Sequence, residues 1–368
     1  MPEQLTPEAE RWRDCADRFA LDVLLPLADT PAADARPTII EQSQASGLYT
    51  LTQPAAFGGS AADQLTLCAA RDALMARNPP HSSAVFGPGP GVLAGVDEPL
   101  RSRYLEPLLS GRLRSGFARP DPGAAPHFPR AEPTAEGYLV NGQKSYVTGG
   151  ASADFLNTVV QIDDKPALLI IDTAQEGVER ERVFQSIDGS QHAAFRFRNA
   201  LVPTTNLLAA PGAGMPKALG QIGDTRLMIA ANCVGLSRWV YQQLCEHLDQ
   251  PARGGGQRGD DAVARLRLGE CYVALFAARS MLYRTARLAD GGDRAINEAM
   301  ACKVFAVDTL TQLIDSGIQL IGGGAVVEDH PLARLYREVR SLRLAEGATD
   351  QLLRNIARGR LELGKGRL

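Results

Sequence analysis

The spacing of apolar residues changes period twice along this chain, and a chain that does so cannot fold as one helical bundle or one sheet. Up to about residue 112 the spacing is helical. RWRDCADRFALDVLLPLA alternates charged and apolar residues at helical intervals and ends near Pro26, and ADQLTLCAARDALMAR (62–77) returns to the pattern after the turn-rich LTQPAAFGGS. HSSAVFGPGPGVLAG holds too much Gly and Pro for a regular interior. EPLRSRYLEPLLSGRL predicts two short helical pieces interrupted by Pro107, with Gly111 as terminator. From about 113 to 208 the period shortens to two. In YLVNGQKSYVTGG, Asn141-Gly142 falls between two extended runs and predicts a hairpin turn; FLNTVVQI, PALLIID and QHAAFRFRN are further strand candidates. Phe195 and Phe197 alternate with Arg196 and Arg198, which fits a small antiparallel sheet or barrel with one dry and one wet face.

From about residue 215 the helical period returns. Leu227, Ala230, Val234, Tyr241, Leu244 and Leu248 share one face of a first helix, and further helices are expected over 261–290 and 293–316 after the breaker QPARGGGQRGDD. Leu266, Val273 and Phe276 lie on one side of the second helix, with Leu268, Tyr272 and Leu275 on another. A helix this apolar needs neighbours on more than one side, so an antiparallel bundle with a further helical partner, such as a second subunit, is expected. The order is helix, sheet, helix, with domains expected over 1–112, 113–208 and 209–368.

The 368 residues are too many for one ordinary core, in line with two or three domains. A hydrophobic fraction of 45%, a charged fraction of 22% and a formal net charge of −3 describe a soluble globular protein with no large pull on nucleic acid or acidic membranes. The cysteines at 15, 68, 233, 245, 271 and 302 are scattered, with no zinc-site spacing and no disulfide-scaffold pattern. MPEQLTPEAERW is acidic and polar, unlike a secretory signal, and no apolar run approaches a membrane span. The expected location is therefore cytoplasmic.

Residues 343–351 read RLAEGATDQ. They place a carboxylate, Glu346, between Leu344-Ala345 and Gly347. Partial burial there would raise its pKa towards that of a general base, and Gly347 permits close approach to a bulky ligand; the plainer reading is a residue opening the helix QLLRNIARGRL. The surrounding stretches carry more. YLVNGQKSYVTGG (138–150), GDTRLMIAANCVGLSR, and QLIGGGAVVEDHPLARLYREV followed by RLAEGATDQ resemble, in order, segments of the acyl-CoA dehydrogenase family, and the resemblance extends over nearly the whole chain.

That resemblance implies an N-terminal helical domain, a middle β-barrel-like domain and a C-terminal four-helix bundle, with FAD bound between the last two. It implies that a glutamate removes the α-proton of an acyl thioester, on CoA or a carrier protein, while the β-hydride leaves for the flavin to give a trans-2-enoyl thioester. Electrons then pass to an electron-transfer flavoprotein or a similar acceptor, and the assembly is a homotetramer or dimer. By the same resemblance the catalytic base is Glu346, with Gly347 beside the substrate and Arg226 near the pantetheine or nucleotide portion. Without it, Arg226 is a first-turn arginine facing water or Asp224. The resemblance further implies that Phe117 and Ala118 offer backbone contacts to the flavin, with Tyr146 beside its ring and Thr148 near its N5. It also implies that Gln319, Gly322 and Gly323 lie against the adenosine part and that Arg253, with Arg258 as the alternative, reaches the pyrophosphate. Tyr146 and Thr148 serve equally as ordinary strand residues, and the glycines as a helix end. His81 and the Gly/Pro run around it lie either near the acyl end of the ligand or in a plain surface loop.

Departures from the family pattern are also plain. ARPDPGAAPHFP replaces a Thr-Glu-Pro-Gly-x-Gly-Ser-Asp loop, with Pro120 for the threonine and Pro126 for the serine, which removes hydroxyl and backbone donors. Gly223 stands where the family has an aspartate. The QPARGGGQRGDD loop lacks the phenylalanine of Arg-x-x-Phe-Gly, and Ala345, Ala348 and Asp350 alter the setting of the base. Two alternatives therefore stand beside the dehydrogenase: a non-catalytic or half-site subunit of a hetero-oligomer with a related chain, and an enzyme oxidising a secondary-metabolite thioester.

Overall fold

The N-terminal helical spacing becomes α1 (Pro7–Phe19), extended by short π and 3-10 turns to Leu27. Pro7 opens it, and the Thr6 hydroxyl accepts from the Ala9 N–H at 3.2 Å. Helix α2 (Ala32–Ser46) stops at Gly47, whose φ of 83° is left-handed and which leaves only 2.9 Å between the place of a Cβ and the Trp12 ring. Helix α3 (Gln64–Met75) is capped by the Asp63 side chain, and its next free N–H groups, of Gln64 and Leu65, donate to the Asp290 carboxylate at 2.7 and 2.9 Å. A single turn, α4 (Glu106–Leu109), follows a π turn, with Pro107 in its first turn and Gly111 beyond it at φ 76°. This computed structural model describes residues 4–118, 128–214, 222–292 and 295–366, which divide into two compact units.

One unit comprises Met1–Thr52, Ala61–Phe86 and Gly223–Leu368. It joins α1 to α3 with α5 (Ile222–Leu248), α6 (Ala262–Asp290), α7 (Ile296–Ile321), α8 (Pro331–Leu342) and α9 (Thr349–Leu363). Leu227, Val234 and Leu244 of α5, Leu282 of α6, Val307 and Ile314 of α7 and Leu335 of α8 share one buried cluster. Gly235 brings α5 against α3, where a Cβ would stand 2.5 Å from the Asp72 carbonyl. The side chain of Asp72 is buried there. It accepts from Arg238 Nη1 at 2.8 Å, Arg279 Nε at 3.2 Å and the Tyr283 hydroxyl at 2.8 Å, tying α3 to α5 and α6. The outer side of α6 is apolar and open: Leu266 is 63% exposed, Val273 67% and Phe276 59%. No described helix is long and apolar enough to cross a membrane.

The other unit comprises Gln53–Ser60 and Gly87–Ile222. Among the described residues its strands are β1 (Ser115–Ala118), β2 (Arg130–Pro133), β3 (Tyr138–Thr148), β4 (Phe155–Ile162), β5 (Lys165–Asp172), β6 (Val178–Gln185), β7 (Gln191–Val202) and β8 (Leu207–Ala209). They form one sheet in the order β6-β7-β3-β2-β4-β5-β8, with β1 added alongside β4. Most neighbours are antiparallel, but β1 and β2 both run parallel to β4. Phe195 and Phe197 are buried with Val140, Val147, Leu156 and Leu169, on the dry face expected from their alternation.

The Asn141-Gly142 hairpin is not formed. β3 runs straight through both residues, and the register against β7 shifts between Val140 and Gly142 instead. Asn141 Oδ1 accepts from the Asn199 N–H at 2.8 Å, while Asn199 itself takes φ 49°. The turn-forming pair is thus used as a β-bulge, stabilised by a cross-strand amide that the local sequence does not reveal.

Candidate active site

The loop between α8 and α9 carries Glu346 and is held from three sides. Arg226, near the start of α5, donates from Nε to the Glu346 carbonyl at 3.0 Å. Lys303, from the middle of α7, donates from Nζ to the Gly347 carbonyl at 3.2 Å. Arg343 pairs with Asp308 of α7 at 2.7 Å. Two successive carbonyls are thereby turned towards two cations, and this requires an unusual backbone: Glu346 has φ 52° and Gly347 φ 108°. A left-handed conformation at a residue with a Cβ costs roughly 1–3 kcal/mol and persists only where its surroundings impose it. Here the surroundings are two cations, Arg226 and Lys303, each donating to one carbonyl of the turn. The Glu346 side chain is half-buried.

Gly347 has a local reason to be glycine. A Cβ would stand 2.8 Å from Cδ2 of Leu352, which is fully buried, at a φ that L side chains rarely adopt. Gly347→Ala is expected to cost about 1–3 kcal/mol, read as a lowered Tm.

The local sequence did not single out Lys303. Its signal is a lone charge in the apolar run AMACKVFAV, and the residue is fully buried. Burial pulls its pKa below the usual lysine range, and the nearby guanidinium of Arg226 adds to this, opposed by the Cys233 thiol and by Asp308 and Glu346. Arg226, expected against the ligand or against Asp224, meets the loop through its Nε.

The flavin candidates fall in separate places. Tyr146 is 47% exposed on β3, and Thr148, two residues on, is exposed as well, with Val147 buried between them. The Tyr146 hydroxyl lies 2.8 Å from Ser186 Oγ and 2.9 Å from His192 Nε2, and its ring stands 4.2 Å from the imidazole. His192 Nε2 also meets Ser190 Oγ at 2.8 Å, and that hydroxyl donates to Asp188 at 2.6 Å; burial keeps the imidazole pKa low. Tyr146 is therefore anchored at its hydroxyl end. Phe117 and Ala118 of β1 pair with Asn157 and Thr158 of β4, where Asn157 Oδ1 and Thr158 Oγ1 are enclosed with no hydrogen-bond partner among the described residues.

On the helical unit, Gln319 lines a groove of about 410 Å³ with His247, Arg258, Arg267 and Leu320. Arg258, not Arg253, shares this groove with Gln319, its Nη1 2.9 Å from His247 Nδ1, while Arg253 is exposed in the preceding turn. Gly322 ends α7 at φ 82°, and nothing lies within 4 Å of where Cβ atoms of Gly322, Gly323 and Gly324 would be. Pro120 and Pro126 lie outside the described residues.

On the helical unit, Arg258 and Arg267 supply cations in one groove, which suits a pyrophosphate. The sheet unit by itself presents an exposed aromatic, Tyr146, and an exposed hydroxyl, Thr148, which suit an aromatic ring system.

Comparison with known proteins agrees in kind. Residues 6–112 match the profile of the acyl-CoA dehydrogenase N-terminal domain, and residues 212–361 that of the acyl-CoA dehydrogenase C-terminal domain. A 3-(aryl)acrylate reductase from Clostridium sporogenes is 24% identical over 94% of this chain and 96% of its own length. The caffeyl-CoA reductase-Etf complex subunit CarC of Acetobacterium woodii is 22% identical over 88% of this chain and 89% of its own. The crystal structure of an acyl-CoA dehydrogenase from Geobacillus kaustophilus superposes with a TM-score of 0.85 at 20% identity, covering 97% of this chain and 99% of that one.

Proposed function

Because this chain belongs to the acyl-CoA dehydrogenase family, we propose that it is an FAD-dependent dehydrogenase of acyl thioesters with Glu346 as its base. The observation that carries the reading is the loop geometry. A carboxylate is presented on a backbone held in a strained conformation by Arg226 and Lys303, an arrangement with no use to a residue that merely opens a helix.

An α-C–H is a weak acid, so its removal needs a base fixed against it and donors to the thioester oxygen as charge moves there. Glu346 takes the α-proton onto a carboxylate oxygen, and the backbone N–H of Glu346 is assigned to the thioester oxygen. Arg226 and Lys303 act as positioning residues: they hold the carbonyls of the two successive peptides, Glu346–Gly347 and Gly347–Ala348, and so fix the direction of the side chain. Bound FAD supplies the acceptor for the β-hydride. Tyr146, Thr148 and the backbone of Phe117 and Ala118 are assigned to its ring, and Arg258, Gln319, Gly322 and Gly323 to its phosphate and adenosine portions. The same carboxylate returns the proton when the reaction runs towards the saturated acyl group, the direction named for the C. sporogenes relative.

Electrons leave to an electron-transfer flavoprotein or a similar acceptor, as the A. woodii relative's place in an Etf complex supports. The open apolar stripe of Leu266, Val273 and Phe276 on α6 is assigned to a second copy or a related subunit.

Lys303→Met keeps the apolar bulk and removes the cation. Turnover is expected to fall by about tenfold while Tm holds or rises, since a buried ammonium is replaced by an apolar chain. An unchanged kcat would remove Lys303 from the positioning role. The reading as a whole is tested by the absorption spectrum of the purified protein and its anaerobic titration with acyl-CoA and acyl-carrier thioesters. A flavin band that bleaches with one ligand class is expected. A colourless protein that refuses added FAD would instead favour a non-catalytic subunit.

A further inference from the structure

The helical unit carries a second groove, between α5 and α6, that the reaction does not use. Its volume of about 440 Å³ lies within the range of small-molecule sites. Four guanidinium groups line it, those of Arg238 on α5 and of Arg279, Arg284 and Arg287 on α6, and none of its lining residues is acidic. The Asp72 carboxylate reaches it from α3, accepting from Arg238 Nη1 at 2.8 Å and Arg279 Nε at 3.2 Å. It fixes the place of two forks and leaves the groove with a clear excess of positive charge. Arg284 and Arg287 are exposed, and the Arg287 Nη2 bond is to the Gln4 carbonyl, at 3.4 Å.

The other end of the groove is aromatic. The rings of Tyr272 and Phe276 are 17° from parallel with centroids 6.3 Å apart, and the two residues are 54% and 59% exposed. From Phe276 to Arg284 the rise along α6 is about 12 Å. Flat apolar faces at one end and guanidinium forks at the other match the two parts of one ligand, a heteroaromatic base and a short polyphosphate chain. A simple anion would leave the rings unused, and an apolar ligand would leave the forks uncompensated.

This groove is separate from the places assigned to the thioester and the flavin. Arg238 lies about 18 Å along α5 from Arg226, and the groove shares no lining residue with that of Arg258 and Gln319. Phe276 also belongs to the apolar stripe assigned to a second copy, so a ligand here sits at the edge of that contact.

We propose that the groove is a second ligand site that takes a nucleoside di- or triphosphate, with its base against Tyr272 and Phe276 and its phosphates among Arg279, Arg284 and Arg287.

The test is calorimetric titration of the purified protein, freed of excess FAD, with ATP, adenosine and inorganic tripolyphosphate. ATP is expected to bind about tenfold or more tighter than either fragment. Combining Arg284→Gln with Arg287→Gln is expected to weaken ATP binding by about tenfold or more, and Tyr272→Leu to bring ATP down to the level of tripolyphosphate. These variants change exposed side chains, so their Tm and their affinity for acyl-CoA thioesters are expected to match the parent.

Tripolyphosphate binding as tightly as ATP, no ATP binding by the parent, or an ATP affinity unchanged in the double variant would overturn the proposal. So would equal losses of ATP and acyl-CoA affinity in that variant, which would place the groove under the nucleotide part of the thioester ligand. A protein that binds neither thioesters nor FAD would remove the dehydrogenase reading, and the ATP titration would still decide this site, because none of its residues belongs to that machinery.

Discussion

Glu346→Gln is expected to lower turnover by about 10²–10⁴-fold while leaving acyl-thioester affinity nearly unchanged. Gln keeps the length of the side chain and its place on the strained turn, and it keeps a carbonyl oxygen facing the ligand. What it loses is the ability to take a proton. Since the Glu346 and Gly347 carbonyls are held by Arg226 and Lys303 through the backbone, the exchange of side chain should leave the loop in place. The Tm is therefore expected to match the parent within a degree or two, so that a kinetic loss reads as chemistry and not as unfolding. Steady-state kinetics together with a binding titration check it. Equal losses in kcat and in affinity would mean that the carboxylate binds the ligand without serving as its base.

The second large effect is on stability. Asp72→Ala is expected to cost about 2–4 kcal/mol, measured as a shift in the urea midpoint. The Asp72 side chain is 2% exposed, while Arg238 and Arg279 are 37% and 22% exposed. The arginines can regain part of their hydration once the carboxylate is gone, which places the cost below that of a wholly buried pair. The Tyr283 hydroxyl loses its acceptor in a site with little access to water. The carboxylate also spans three helices, so its loss loosens α3 from α5 and α6 together. A cost under about 0.5 kcal/mol would mean that the packing at Gly235 holds these helices without the ion pairs.

The places where local sequence fails share one cause, namely partners distant in the chain. VERERVFQ carries four consecutive charges, on both faces, and shows no apolar period, yet it forms β6, where Glu179 and Glu181 pair with Arg198 and Arg196 of β7. Asn141-Gly142 is the strongest short hairpin signal in the chain, and it is overridden by a bond from Asn199, 58 residues away. Helix α2 contains Pro37 and little apolar period, and its order comes from Ile39 and Ala35 in a core shared with α1. By contrast, Phe195 and Phe197, Leu227 to Leu248, and the α6 stripe are legible because burial or exposure follows one period along one element. Within the candidate site, Glu346 and Gly347 are legible from their segment. Lys303 is legible only as an oddity, a charge in an apolar helix, until the carbonyl it serves is in view. Arg258 separates from Arg253 only through the groove it shares with Gln319.

The central claim is that Glu346 moves the α-proton, and hydrogen exchange at that carbon tests it most directly. The FAD-loaded protein is incubated anaerobically with an acyl-CoA that bleaches the flavin, in deuterium oxide, and the recovered thioester is weighed by mass spectrometry. Deuterium is expected to enter at the α-carbon with the parent protein and to stay near the background rate with Glu346→Gln. Exchange at the parent rate in the Gln variant would contradict the account, since another group would then be the base.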